Sequence, residues 1–265
     1  MLKRFALALL LMLFAFNARA ANYTDVYYDI LEQGWGAFLI QSGTFQFIAF
    51  FIYGPDGKPI WYTAQLTDDG TGNYTGTLYA ITGTYFANPW QGYTINAAGT
   101  ASFTPSDLYH ATLTYTVNGV GTITKSMQRQ TLTPEKMSAN YSGSMAGSIS
   151  GCTNPASNDP MFRARYGLSV TQTADTSISL MFSFTDATHA GIVCTAAGPI
   201  NHLGRLYQVA GGTLTCTGPG QDGMPRPLTI EALHPTGQGI EGVITGIGGG
   251  CTATLHFAAV GFFND

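Results

Sequence analysis

The chain has 265 residues, a net charge of −4 and 10% charged side chains, against about 25% in an ordinary soluble domain. That balance argues against a nucleic-acid or anionic-membrane partner held by counterion release. Beyond the first twenty residues no apolar run is long and uninterrupted enough to make a transmembrane helix.

Residues 1–20 have the pattern of an export leader. Lys3 and Arg4 give the positive start, Phe5 to Phe16 a short apolar core, and Ala18-Arg19-Ala20 a small-residue cleavage site. The core is too short to span a bilayer, and no cysteine follows it to carry a lipid. The leader holds Lys3, Arg4 and Arg19 and no acid, so its removal takes the net charge from −4 to −7. The expected address is outside the cytoplasm, periplasmic or extracellular, with no transmembrane anchor.

After the leader almost everything reads as strand and turn. Thr24 to Gln33 is the one stretch that could make a short amphipathic helical turn. Gly34-Trp35-Gly36 leads into Phe45 to Tyr53, a run too apolar to be a surface strand with one wet face. Pro55-Asp56-Gly57-Lys58 is a tight-turn sequence, and Pro59-Ile60-Trp61-Tyr62 returns from it. Strands are predicted at 59–67, 73–82, 99–104, 109–117 and 120–129, the last two joined by Asn118-Gly119, a type I′ hairpin pair. Residues 83–98, with Trp90, read as a longer irregular excursion.

Thr131 to Met137, with Pro134 and two charges, is the best boundary. It gives an N-terminal aromatic-rich domain over 21–133 and a second domain over 138–265. Further strands are predicted near 141–152, 163–173, 177–185, 190–196, 204–209, 212–217, 226–233, 238–245 and 251–260. Tyr141-Ser142-Gly143-Ser144 echoes Tyr74-Thr75-Gly76-Thr77, by duplication or by convergence. The fold class is all-β: two antiparallel β-barrel or β-sandwich domains in tandem, with up-and-down barrels favoured.

All four cysteines, Cys152, Cys194, Cys216 and Cys251, lie in the second domain. In an exported chain they point to two disulfides, with three connectivities open. If the domain is an antiparallel barrel with an even strand count, its first and last strands are neighbours. Cys152 would then meet Cys251 at one rim, leaving Cys194 for Cys216. Metal binding is the competing reading, without a C-x-x-C or paired-histidine spacing to support it.

No catalytic residues stand out. His110, His189, His202, His234 and His256 are scattered outside metal-ligand patterns, there is no G-x-S-x-G elbow, and the acids fall in turns. Asp68-Asp69-Gly70 reads as a β-turn ahead of a calcium loop, since the EF-hand spacing is missing. No metal and no cofactor is expected. The aromatics remain. Trp35, Trp61, Tyr62 and Trp90 are the candidate ligand-binding residues, set against the alternative that they fill a barrel core; Trp90 is the one expected to be exposed.

Gly34-Trp35-Gly36, Asp56-Gly57-Lys58-Pro59 with Trp61-Tyr62, Tyr74-Thr75-Gly76-Thr77-Leu78-Tyr79 and Tyr115-Thr116-Val117-Asn118-Gly119 with Lys125 and Arg129 carry a resemblance. Over about residues 30–130 the chain resembles a family of exported bacterial β-modules with a GWG…DG-x-P-x-W-Y…Y-x-G-x-L-Y pattern, which occur alone or appended to secreted enzymes. The resemblance implies compartment and fold and carries no activity. A weaker similarity is to avidin-like barrels, without their set of ligand-contacting residues. The expected function is a non-catalytic binding or cell-envelope-associated module, its partner a saccharide, a small apolar ligand or another exported protein. The alternatives are an inhibitor of an exported protein, or a hydrolase whose carboxylates converge only in space.

Overall fold

The structure is a computed structural model, and it describes residues 21–248 and 250–261. The leader lies outside the described residues. The chain divides into two compact units, Met1–Gln128 and Arg129–Asp265.

The first unit is a closed, eight-stranded, up-and-down antiparallel barrel. Its strands are β1 (Asp25–Tyr28), β2 (Gly36–Ser42), β3 (Phe45–Tyr53), β4 (Pro59–Asp68), β5 (Tyr74–Gly83), β6 (Tyr93–Pro105), β7 (His110–Val117) and β8 (Gly121–Arg129). Alternation sets the inward face: Leu39, Ile48, Phe50, Leu66, Leu78, Phe103, Leu113 and Met127 are buried together. The interior is a packed, mainly apolar core that also takes in the Gln46 side chain.

Two expectations need correction here. Thr24 to Gln33 is no helix: Asp25–Tyr28 is a strand, with Asp25 and Tyr27 buried and Val26 and Tyr28 only half-buried. Period-two burial wins because the barrel needs an eighth wall, and β1 pairs with β2 from Asp25↔Leu39 to Tyr28↔Gly36. The irregular excursion is also shorter than expected. Tyr93 to Ala97 pair with Gly83 to Tyr79, and a register shift between Leu78 and Tyr79 lets the ribbon continue. Only 84–92 remain a loop.

The second unit is a β-barrel of the same kind. It contains β9 (Ala139–Ser150), β10 (Asp159–Thr173), β11 (Ser177–Phe184), β12 (Val193–Pro199), β13 (Asn201–Leu203), β14 (Leu206–Thr217), β15 (Arg226–Pro235), β16 (Gly239–Gly248) and β17 (Cys251–Gly261). The pairing β12–β14 closes a ring of eight, and β17–β9 joins its last strand to its first; β13 is a short addition beside β14. The two strands expected at 204–209 and 212–217 are one strand, β14, which carries register shifts between Tyr207 and Gly212. Gly211, at φ +69°, absorbs the irregularity without ending the strand.

Both disulfides are cross-strand. Cys152 follows β9 and bonds Cys251 at the start of β17. Cys194 bonds Cys216, its register partner across β12 and β14.

The Tyr-x-Gly echo has a shared physical basis. A Cβ on Gly76 would lie 1.9 Å from the Gln65 carbonyl oxygen, and one on Gly143 would lie 2.1 Å from that of Ala258. In each case a buried tyrosine, Tyr74 or Tyr141, precedes a glycine over which the neighbouring strand passes closely. Tyr74 opens the fifth strand of its barrel and Tyr141 lies in the first strand of the other. A strand-for-strand tandem repeat does not align them, so the echo is a common local device.

Candidate functional site

The two ends of the N-terminal barrel differ. At one end Tyr23 packs edge-on against Tyr74 and Phe103, at 6.2 and 5.5 Å between ring centres. Gln41 ties the incoming chain there: its Oε1 accepts from the Tyr23 N–H at 3.0 Å, and its Nε2 donates to the Ala21 carbonyl at 3.0 Å. The turn at that end is polar, with Asp68 accepting from the Gly70 N–H and Asp69 from the Thr71 N–H, both at 2.8 Å. The expected β-turn is present. The other end holds a cavity of about 430 Å³, inside the ordinary range for small-ligand sites.

The Gly-Trp-Gly element builds this mouth. Asp29 starts a tight turn, its carboxylate accepting from the Leu31 N–H at 2.9 Å. The Trp35 N–H closes it onto the Glu32 carbonyl at 3.3 Å. Gly34 sits at φ +92°, and a Cβ there would lie 2.5 Å from the Tyr53 hydroxyl; only glycine fits. The chain thereby turns Trp35 back over the barrel end, 7% exposed. Opposite it, the hairpin at 54–58 is closed by the Gly54 N–H donating to the Lys58 carbonyl at 2.8 Å.

Beneath the mouth, the buried Phe50 ring packs against Tyr62 and Tyr115, at 6.0 and 4.8 Å between ring centres. Trp35, Tyr62, Tyr115, Ile52, Ile60 and Val117 are among the lining residues, and Glu32 and Lys125 form an ion pair there. The indole N–H of Trp35 is buried and makes no well-formed hydrogen bond among the described residues. It does approach the Tyr115 hydroxyl closely enough to favour that phenol's ionised form. Burial outweighs this, and with Glu32 and Tyr62 nearby holds the Tyr115 pKa above its ordinary value.

The candidate aromatics therefore separate. Trp35 and Tyr62 share the cavity, whereas Trp61 and Trp90 do not line it. Trp61 points outward from β4, 45% exposed, and Trp90 is 70% exposed on loop 84–92, where exposure was expected. Sequence reasoning missed Tyr115, Glu32 and Lys125. Glu32 and Lys125 are 93 residues apart in sequence, and no local pattern joins them. The cavity lining holds one carboxylate, Glu32, and no histidine. The converging carboxylates of the hydrolase expectation are therefore not both in that lining.

Elsewhere, Asp107 holds His110 and Asp186 holds His189, with Nδ1–carboxylate distances of 2.9 and 2.8 Å. Both are Asp-x-x-His turns whose carboxylates also accept backbone N–H groups, and the spacing is visible in the sequence. Burial pushes both carboxyls up, but these hydrogen bonds together bring each below the ordinary carboxylate range. Among the described residues no group of three or more His, Cys, Asp and Glu could hold a metal ion. A second concavity, about 460 Å³, lies along the outside of the C-terminal barrel near Ser144, Arg165 and Glu241. None of its lining residues has an unpartnered buried polar atom.

Among the described residues no helix is long and apolar enough to cross a membrane. No protein-family model matches the sequence, and no curated protein matches it. Among solved structures the chain is similar to the isotype 1 transferrin binding protein B from serogroup B Neisseria meningitidis. The TM-score is 0.32 at 11% identity, over 87% of this chain and 66% of that one.

Proposed function

We propose that the N-terminal barrel is a non-catalytic binding module of an exported protein, taking a small, largely apolar ligand into its open mouth. The observation that carries this reading is the cavity of about 430 Å³ at the Gly-Trp-Gly end of the barrel, walled by Trp35, Tyr62 and Tyr115 together with Ile52, Ile60 and Val117. An aromatic and aliphatic wall of this kind stabilises an apolar guest by removing its surface from water. Isoleucine, valine and aromatic walls favour an apolar body over a saccharide. Two disulfides fit an oxidising compartment. The Gly-Trp-Gly turn, which frames this mouth, supports placing the chain with the exported β-modules it resembles.

The test uses 1-anilinonaphthalene-8-sulfonate, an apolar ring system with a sulfonate acceptor, and cellobiose in a parallel arm. Saturable one-to-one binding of the anilinonaphthalene is expected, weakened about threefold by Trp35→Phe, which trims the aromatic wall. Trp61→Ala should leave it unchanged. Absence of saturable binding, or equal binding by Trp35→Phe, would contradict the reading; binding of cellobiose alone would replace the apolar ligand by a sugar.

A second reading, an interaction module for another exported protein, is favoured by loop 84–92, where Tyr85, Phe86 and Trp90 are all exposed. Crosslinking from Phe86→Cys in intact cells should then capture one defined exported protein, and no discrete product would refute it.

A further inference from the structure

The outer wall of the N-terminal barrel is divided by chemistry. On one side β7 and β8 present threonines outward, and cross-strand pairs of them hydrogen-bond: Thr114 with Thr124 at 3.3 Å and Thr116 with Thr122 at 2.8 Å. Such a surface satisfies itself and water. On the other side, β2 to β5 and the start of β6 present Phe38, Ile40, Phe51, Trp61, Tyr93 and Ile95, all exposed. They are contiguous. Phe38 and Phe51 meet edge to face at 5.9 Å, Phe51 pairs with Trp61 across β3 and β4, and Ile81 pairs with Ile95 across β5 and β6.

No outward position of this wall carries a charge. On β3 they are Phe45, Phe47, Ala49, Phe51 and Tyr53; on β4, Pro59, Trp61, Thr63, Gln65 and Thr67; on β5, Thr75, Thr77, Tyr79 and Ile81. Natural β-sheets with a solvent face place polar residues there, and contiguous exposed apolar area of this kind marks an interaction site. Phe38, Ile40, Phe51 and Trp61 are 51, 61, 42 and 45% exposed. With Phe45, Tyr93 and Ile95, and about 200 Å² for a large side chain, the wall exposes roughly 700 Å² of apolar surface. A stable pairwise interface needs about 800 Å² from each partner.

We propose that this wall is the seat of a two-fold dimer, covered by the same wall of a second copy of the chain. An isologous interface requires one patch to complement itself. A charged face does this poorly, because like charges meet near the axis; an uncharged wall of aromatic and branched side chains does it readily, two sheets packing face to face about 10 Å apart. The dimer also explains the Pro59-Ile60-Trp61-Tyr62 segment. Tyr62 serves the cavity from inside, and Trp61, one residue away on the pleat, serves the interface from outside.

Sedimentation equilibrium of the full chain should give twice the 28.2 kDa chain mass at micromolar concentration. Phe51→Thr with Trp61→Thr keeps β-branched strand formers on the wall, and should raise the dimer dissociation constant at least a hundredfold. Trp35→Phe should dimerise like the wild type, which separates this proposal from the ligand reading. Should the double variant misfold, dilution of the wild type supplies the test: tryptophan emission should shift to the red as Trp61 meets water. A monomer at every concentration up to a millimolar would overturn the proposal. So would a dimer unaffected by the folded double variant, or a monomer whose wall binds dioleoylphosphatidylcholine vesicles instead.

Discussion

The two disulfides of the C-terminal barrel close loops of very different length, and their removal should rank accordingly. Cys152 and Cys251 are separated by 99 residues, Cys194 and Cys216 by 22. On the chain-entropy account, the longer crosslink stabilises by about 4.7 kcal/mol and the shorter by about 3.4 kcal/mol. The perturbations are Cys152→Ser with Cys251→Ser, and separately Cys194→Ser with Cys216→Ser. At a urea dependence of about 2 kcal/mol per molar, the first should lower the midpoint by about 2 M and the second by somewhat less. The chain offers an internal control, since Trp35, Trp61 and Trp90 all lie in the first unit. Tryptophan fluorescence then follows the first barrel, and the part of the far-ultraviolet dichroism change that does not coincide with it reports the second. Only the second transition should move. Two results refute the reasoning: a larger loss from the 22-residue loop, or an equal shift in the tryptophan-detected transition.

Four further outcomes follow from the same geometry. Gly76→Ala places a methyl 1.9 Å from the Gln65 carbonyl oxygen and should cost about 3 kcal/mol in the tryptophan-detected transition; a cost below 1 kcal/mol would show that the strands separate freely there. Gly34→Ala meets both a left-handed backbone and the Tyr53 hydroxyl, and should cost about 1–3 kcal/mol and weaken anilinonaphthalene binding. Gly57→Ala, at φ +72° with nothing within 4 Å, should cost about 1 kcal/mol and leave binding intact. His234 has its pKa held below the ordinary value by burial and by Arg205, against the opposing pull of Glu241 and Glu135. The unfolded chain therefore binds this proton first. Stability of the second barrel should fall as pH drops below about 6.5, and His234→Gln should flatten that dependence; an unchanged pH profile in the variant would remove His234 from the account.

What the sequence made legible was local. Asp56-Gly57-Lys58 names its own turn; Asn118-Gly119 marks a turn but not the type I′ turn expected, since Gly119 is at φ +78° while Asn118 is not in the positive-φ region. The rim position of Cys152 and Cys251 follows once an even-stranded barrel is assumed. The run from Phe45 to Tyr53 reads as doubly apolar, and it is: Ile48 and Phe50 fill the core while Phe45 and Phe51 stand exposed on the wall. Which side is which depends on register, and a shift of one residue exchanges the faces. That is why Trp35 and Trp61, both beside glycine-rich or aromatic neighbours, could not be told apart. Trp35 is turned inward by the positive-φ turn at Gly34, Trp61 outward by the pleat of β4. The strand at Asp25–Tyr28 was hidden because four residues carry too little periodicity, and only closure of the barrel fixes them. Glu32 meets Lys125, and Trp35 meets Tyr115, through topology alone.

The central claim is that the barrel mouth receives a ligand against the aromatic wall to which Trp35 belongs. The most direct measurement is the ¹⁵N–¹H spectrum of the three indole groups, assigned by single Trp→Phe variants, during titration with 1-anilinonaphthalene-8-sulfonate. The account predicts that the Trp35 Nε1–H resonance alone moves, saturably, as the rings of the probe pack beside the indole. Movement confined to Trp61 or Trp90, or a Trp35 resonance that stays in place while the probe binds, would contradict it.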